Sequence, residues 1–341
     1  MQLVETLRFP GKTWPLLDSP EQAGWSHEKL KVARDYADSI HSAAVMIVQG
    51  GVVVKQWGDL TKKFNSYSIR KTMLSALYGI YVSEGKIDLN QTLEQLGIDD
   101  NPPSLTKTEK QARIADLLRA RSGVYHTSLF EPVYMKESRP ARGSHAPGTF
   151  WFYNNWDFNT LGTIFEQNAG LPINLAFEQR IATSLQMEDY SAEDMKYIRG
   201  PESIHPAYPF HISSRDLARF GLLYLRHGLW RDQQIVPASW VAKLSQPSEL
   251  LGQHNGFQVG GYEDLWWTET QGKHFPGVDL GGGSFSARGI GGHFVVVVPA
   301  RNLVIVHRVD NGDDQREVVN VEQFARLLKL VLDAQANPVS G

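Results

Sequence analysis

Tetrapeptides of the form Ser-x-x-Lys recur in this 341-residue chain, among them Ser26 to Lys29, Ser68 to Lys71 and Ser104 to Lys107. One helical turn brings the two side chains of such a pair to the same side. A desolvated, neutral lysine there accepts a seryl proton and makes the hydroxyl a nucleophile. The flanking residues separate the copies. Ser26 and Lys29 open a polar helix, where Ser reads as an N-cap. Ser104 and Lys107 follow Pro102-Pro103 at the start of another solvated stretch. Only Ser68 stands at the mouth of an apolar helix, Thr72 to Glu84, with Leu74, Leu77, Tyr78, Tyr81 and Val82 at helical spacing. Burial there would discharge Lys71, and the helix N-terminus at Ser68 would favour developing negative charge. The competing reading makes Ser68 a cap and nothing more.

Two further runs offer partners. Tyr153-Asn154-Asn155 follows Pro147-Gly148-Thr149. A tyrosine on a loop entering a cleft relays a proton to a leaving group when a nearby ammonium lowers its pKa. Asn155 is placed to bond a substrate amide or the lysine, or else simply to cap the helix that begins at Trp156. The run Ala287-Arg288-Gly289-Ile290-Gly291-Gly292-His293 joins two late strands. Its glycines let an edge strand approach a ligand, with a backbone N–H pairing with that of Ser68 around an oxyanion. A plain Gly-rich hairpin explains the same residues. Tyr125, Trp266 and Trp267 are candidates for an acyl pocket, against core packing as the alternative.

Composition sets bounds. A hydrophobic content of 42%, a charged content of 21% and a formal charge of −3 describe an ordinary globular chain. They give no electrostatic reason to expect nucleic acid or an anionic membrane as partner. With no cysteine, disulfides, thiolate metal sites and a cysteine nucleophile are excluded. The eleven histidines are scattered without metal-binding spacing; His126, His145, His205, His211 and His293 read as surface or loop residues, and no metal or cofactor is expected. The N-terminus, Met1 to Pro15, carries Glu5, Arg8 and Lys12 and has no signal-like apolar core, so cytoplasmic residence is the expectation. Nothing in the chain speaks to oligomeric state.

The elements that must position these groups read as follows. Ala43 to Val48 and Val52 to Val54 form a hairpin across Gly50-Gly51. Helices are expected at 106–119, 156–168, 173–185, 214–227 and 237–244, and 128–149 is a long loop rich in Pro, Gly and charge. Strands return at 261–268, 284–288, 293–298 and 303–309, and an amphipathic helix at 318–334 closes the chain. The expected fold is α/β: one antiparallel sheet made by both chain ends, residues 1–71 and 245–341, with a mostly helical insertion, residues 72–244, and a cleft between them.

In this order the motifs resemble those of the penicillin-recognising serine hydrolases, the group of class C β-lactamases, related esterases and D-peptidases, and nylon-oligomer (6-aminohexanoate-dimer) hydrolases. Leu117 to Gly123, Ala146 to Thr149, Ser213 to Gly221 and Leu265 to Trp267 extend the likeness over nearly the whole chain. The resemblance implies Ser68 as acylated nucleophile, Lys71 as general base and Tyr153 as proton shuttle. It also implies the backbone N–H groups of Ser68 and Ile290 as oxyanion hole, with Asn155 in a substrate-facing polar network. Where β-lactamases of this group carry Lys-Thr-Gly or His-Thr-Gly, this chain has Ala287, Arg288 and Gly289. Arg288 either replaces the missing cation or points to solvent, and Gly289 lies against the substrate. The expected function is hydrolysis of a small ester or amide. The alternatives are β-lactam or D-alanyl-peptide hydrolysis, and an inactive binding protein on the same fold.

Overall fold

The computed structural model describes residues 7–254, 257–312, 314, 316 and 318–336. Glu5, part of the N-terminal reading, lies outside the described residues, as do 337–341 at the end of the expected sheet unit. The chain ends build one seven-stranded antiparallel sheet. Its strands are β1 (Ser42–Gln49), β2 (Val52–Gly58), β3 (Gly261–Glu263), β4 (Trp266–Thr268), β5 (Phe285–Gly289), β6 (His293–Val298) and β7 (Leu303–Val309), in the order β3-β4-β5-β6-β7-β1-β2. The central strands β6 and β7 are buried along their whole length, which is why both read as unbroken Val-rich runs rather than alternating ones.

Five long helices cover the sheet and its neighbour: α1 (His27–Ser39), α2 (Arg70–Ser83), α3 (Asn155–Ala169), α4 (Ser214–Leu225) and α5 (Val321–Asp333). On one face α1 and α5 pack with Leu30, Ala33, Phe324, Leu328 and Val331 against Ile47, Val296 and Ile305. On the other face lie α2, α3 and α4 with Leu77, Phe158, Leu161 and Phe220. Helix α4 reaches the sheet because Gly221 has no side chain; a Cβ there would stand 2.6 Å from Val304 Cγ1. It therefore packs on the strands, although it falls inside the expected helical insertion, residues 72–244. Helix α2 is buried from Arg70 to Tyr81, the pattern of a helix apolar on nearly all sides. No helix among the described residues is long and apolar enough to cross a membrane.

Three elements depart from expectation. The run 261–268 is a hairpin, β3 and β4, turning at Asp264-Leu265 with φ of 41° and 73°; two successive left-handed residues suit a two-residue hairpin turn. The helix expected over 106–119 is interrupted at Ala112-Arg113, where Arg113 pairs with Thr92, leaving only Ile114–Leu118 as α-helix. The loop 128–149 contains a short helix, Val133–Ser138, and is pinned by ion pairs of Arg139 with Glu131 and of Arg142 with Glu109.

Candidate active site

The structure separates these Ser-x-x-Lys copies. Ser26 caps α1, accepting from the Lys29 N–H. Ser104 and Lys107 are both exposed. Ser68 lies in a 3-10 turn, Tyr67–Ile69, that runs directly into α2, and its side chain caps neither element. Lys71, one turn on, is 1% exposed. Its Nζ stands 2.5 Å from Ser68 Oγ and 2.9 Å from the Tyr153 hydroxyl.

Two influences compete at Lys71. The ring faces of Tyr153 and Phe158, 4.6 and 4.7 Å from Nζ, favour the ammonium by about 0.5–2 kcal/mol each. Burial and the adjacent Arg70 guanidinium oppose it and prevail, holding the amine well below the usual lysine range. Tyr153 differs from expectation. Burial pushes its phenol upward, with Tyr134 adding to the effect, and the opposing pull of Ser68 and Arg70 is smaller. Tyr153 therefore keeps its proton at neutral pH.

The backbone around Ser68 is held from several sides. Tyr67 is left-handed, φ 45°, a cost the surroundings must offset. Its N–H donates to Asn65 Oδ1, its hydroxyl donates to the carbonyls of Gly312 and Asp314, and its ring packs on Phe130 and His293. Behind it, fully buried Arg308 donates to the carbonyls of Phe64, Asn65 and Ile212 and to His293 Nδ1. Tyr153 is fixed by its successor: Asn154, rather than Asn155, caps α3, and it also donates to the Val124 carbonyl. In the first turn of α3, buried Asp157 accepts from Ser122 Oγ at 2.5 Å. Burial pushes its carboxyl well above the ordinary range despite that bond.

Strand β5 comes against the Ser68 turn at Gly289, where a Cβ would meet Ser66 O at 2.8 Å and Tyr67 Cβ at 3.4 Å. The next residue, Ile290, lines with Ser68, Tyr134, Tyr153, Trp267 and Arg288 a cavity of about 440 Å³. The glycines that follow also serve packing: a Cβ on Gly292 would meet Val319 at 2.8 Å, and the Gly291 carbonyl accepts from Val318 and Val319. Arg288 faces this cavity. Its guanidinium lies against the Trp267 and Phe275 rings and donates to Ser286 Oγ and the His274 carbonyl. Among the described residues it has no carboxylate partner, and burial lowers its pKa to about 9.

Other expected residues sit elsewhere. Asn155 donates to the Phe130 carbonyl and does not line the cavity; its Oδ1 is buried with no hydrogen-bond partner. The Tyr125 hydroxyl bonds His145, and its ring packs edge-on to Phe152 outside the cavity. Trp267 reaches the cavity, whereas Trp266 is core, packed on Tyr224 and Phe285. Of the histidines read as surface or loop residues, His126, His205 and His293 are buried. Both nitrogens of each are bonded, as with His205 to Thr163 Oγ1 and the Asp99 carbonyl. Sequence reasoning missed Tyr134, Arg70, Asp157 and Arg308. For Arg70 a signal existed, a cation entering an apolar helix beside Lys71.

The profile of the Beta-lactamase family matches residues 30–318. Among solved structures, the chain is similar to a putative 6-aminohexanoate-dimer hydrolase from Bacillus anthracis, with a TM-score of 0.67 and 20% identity over 96% of this chain and 86% of that one. It is also similar to a β-lactamase from Mycobacterium bovis, with a TM-score of 0.60 and 18% identity over 89% and 99%. Among curated proteins it is 24% identical to the N-acetylmuramyl-L-alanine amidase of Bacillus subtilis over 51% of this chain and 48% of that protein. A second curated relative, an uncharacterised protein of Alkalihalophilus pseudofirmus, is 33% identical over 28% of this chain and 29% of its own length. The chain thus spans about half or less of the curated relatives it matches. At such identities the solved structures speak to the fold, a mixed α/β architecture around a large antiparallel sheet. The profile match, running through the Ser68 turn, Tyr153 and strand β5, settles the kinship: the chain belongs to the Beta-lactamase family.

Proposed function

We propose that the protein hydrolyses a small ester or amide through an acyl-enzyme on Ser68. The observation that carries this reading is the convergence of Ser68 Oγ and the Tyr153 hydroxyl on Lys71 Nζ within hydrogen-bonding distance, with Ser68 and Tyr153 on the wall of one cavity. Neutral Lys71 takes the Ser68 proton as Oγ forms its bond to the substrate carbonyl carbon. The N–H groups of Ser68 and Ile290 receive the negative oxygen. The bond to the leaving group then breaks. Tyr153 gives that group its proton and is reprotonated by the Lys71 ammonium, leaving the acylated serine and a neutral base. Water attacks the ester next, with its proton passing to the same pair, and Ser68 recovers its hydrogen from Lys71 as it departs.

Arg288 on the cavity wall favours a second reading, in which the substrate carries a carboxylate, as a β-lactam or a D-peptide does. One panel tests both: p-nitrophenyl butyrate, an anilide and a chromogenic cephalosporin, each with wild type and Ser68→Ala, plus intact-protein mass after mixing. Turnover of the ester or anilide with a Ser68-borne adduct, lost in Ser68→Ala, is the expected result. Equal turnover by the two proteins removes Ser68 from the chemistry. A cephalosporin neither bound covalently nor cleaved eliminates the second reading.

A further inference from the structure

Arg70 has no accessible surface. Its guanidinium lies 4.2 Å from the Tyr208 ring centroid and donates to Asn159 Oδ1 at 2.6 Å, while Nε and Nη1 have no hydrogen-bond partner. An arginine so deeply buried normally faces a carboxylate. The groups that bear on this one are the tyrosines 208, 153 and 262, and among the described residues it forms no ion pair. It adjoins Lys71, whose own surroundings are Ser68, Tyr153 and the Phe158 ring. Two buried basic side chains therefore end on consecutive residues of α3, Lys71 on the Phe158 ring and Arg70 on Asn159, and among the described residues neither has a carboxylate partner, so both cannot stay charged cheaply. Of the two, the guanidinium holds its proton more tightly, from an ordinary value of 12.5 against 10.5 for the amine.

We propose that Arg70 is a positioning residue for catalysis: its fixed, uncompensated charge keeps the neighbouring Lys71 amine neutral and so sets the pH above which Ser68 is activated. The proposal rests on the acyl-enzyme reading and deepens it. It makes Asn159, on α3, part of the same device. An asparagine holds the guanidinium through a neutral oxygen, whereas an aspartate at that position would cancel the charge on which the effect depends.

The test is the pH profile of kcat/KM toward p-nitrophenyl butyrate, which reports groups of the free enzyme, for wild type, Arg70→Lys, Arg70→Met and Asn159→Asp. Activity rises with pH as Lys71 loses its proton. Removing or neutralising the cation should carry that acid limb upward by about one pH unit or more, about a tenfold loss at a fixed pH on the limb. Arg70→Lys, which keeps a charge, should leave the limb close to wild type. Asn159→Asp is isosteric and keeps Arg70 in place, so it serves even where Arg70→Met does not fold. An acid limb that stays at the wild-type pH in either folded variant overturns the proposal, as does a uniform loss of rate with no movement of the limb. If Ser68→Ala is inactive while the limb fails to move, this inference alone is lost. If Ser68→Ala remains active, the acyl-enzyme reading falls first.

Discussion

Replacing Gly289 by alanine isolates the close approach of β5 to the Ser68 turn. Gly289 does not have a left-handed φ, so the substitution adds a methyl group without backbone strain. That methyl would begin 2.8 Å from Ser66 O, 3.2 Å from His293 Cβ and 3.4 Å from Tyr67 Cβ. Neither the carbonyl nor the two Cβ atoms is the free end of a flexible side chain, so relief must come from strand and turn moving apart by about half an ångström, as overpacked sites do. The global cost is about 1–3 kcal/mol. The local cost is larger in effect, because the same displacement separates the N–H groups of Ser68 and Ile290, and losing one oxyanion donor costs about 100- to 1000-fold in kcat. A partial displacement should therefore lower kcat for p-nitrophenyl butyrate by about 10- to 100-fold, with the protein still folded by circular dichroism and its KM changed less. A folded Gly289→Ala enzyme with wild-type kcat would refute the idea that this contact builds the site, and would return the glycine run to a hairpin serving only the sheet.

Two further outcomes are expected. Asp157 binds its proton more tightly in the folded chain than in the unfolded one, whose carboxyl titrates near 4. From about pH 4 upward the native state thus holds more protons, and stability falls as pH rises, by at most about 1.4 kcal/mol per unit, until the folded carboxyl ionises. Asp157→Asn keeps the acceptor for Ser122 and should flatten that slope in urea unfolding between pH 5 and 8; parallel slopes for the two proteins would show that Asp157 is not the group responsible. Arg308→Met strips the carbonyls of Phe64, Asn65 and Ile212 of a charged donor in a dry setting. It should cost roughly 3–5 kcal/mol, read as a lower urea midpoint, and a loss below about 1 kcal/mol would mean that other donors replace it.

The meeting of Ser68, Lys71 and Tyr153 was legible because each of them announces itself locally. Ser68 and Lys71 share a turn and lead into a helix too apolar to lie in solvent, and Tyr153 follows a breaker run that must end a loop. The sheet was legible where Val-rich runs such as 293–298 and 303–309 admit no other packing. What stayed hidden depends on partners far along the chain. The direction of Arg288 follows from the pairing of β5 with β6, Arg288 opposite Phe294, which no alternation rule selects. Arg308 and Asp157 carry charges, and charged residues read as surface until their buried partners are known. The β3–β4 turn was missed because Leu265, a poor left-handed residue, replaces the glycine that marks such turns. Tyr134 lines the cavity from a loop that carries ion pairs to Glu131 and Glu109, partners its local sequence does not point to.

The electrostatics of the site have a common logic that no single residue displays. A carboxylate beside Lys71 would keep the proton on the base and leave Ser68 unactivated. Among the described residues none is placed there: burial and Arg70 lower the pKa of Lys71, and only the ring faces of Tyr153 and Phe158 oppose them. The buried acid that anchors the first turn of α3, Asp157, has its carboxyl pushed well above the ordinary range by its own desolvation. Arg70 and Arg288 thus remain without anions of their own. A compartment of this kind disfavours a proton on Lys71. On the acyl-enzyme reading, Arg70 works against the ammonium that forms on Lys71, so proton transfer is opposed until negative charge has appeared on the substrate oxygen. On the same reading, proton transfer to Lys71 and formation of the oxyanion are coupled, so the effect of the unpaired arginines falls on the transition state rather than on the bound ester.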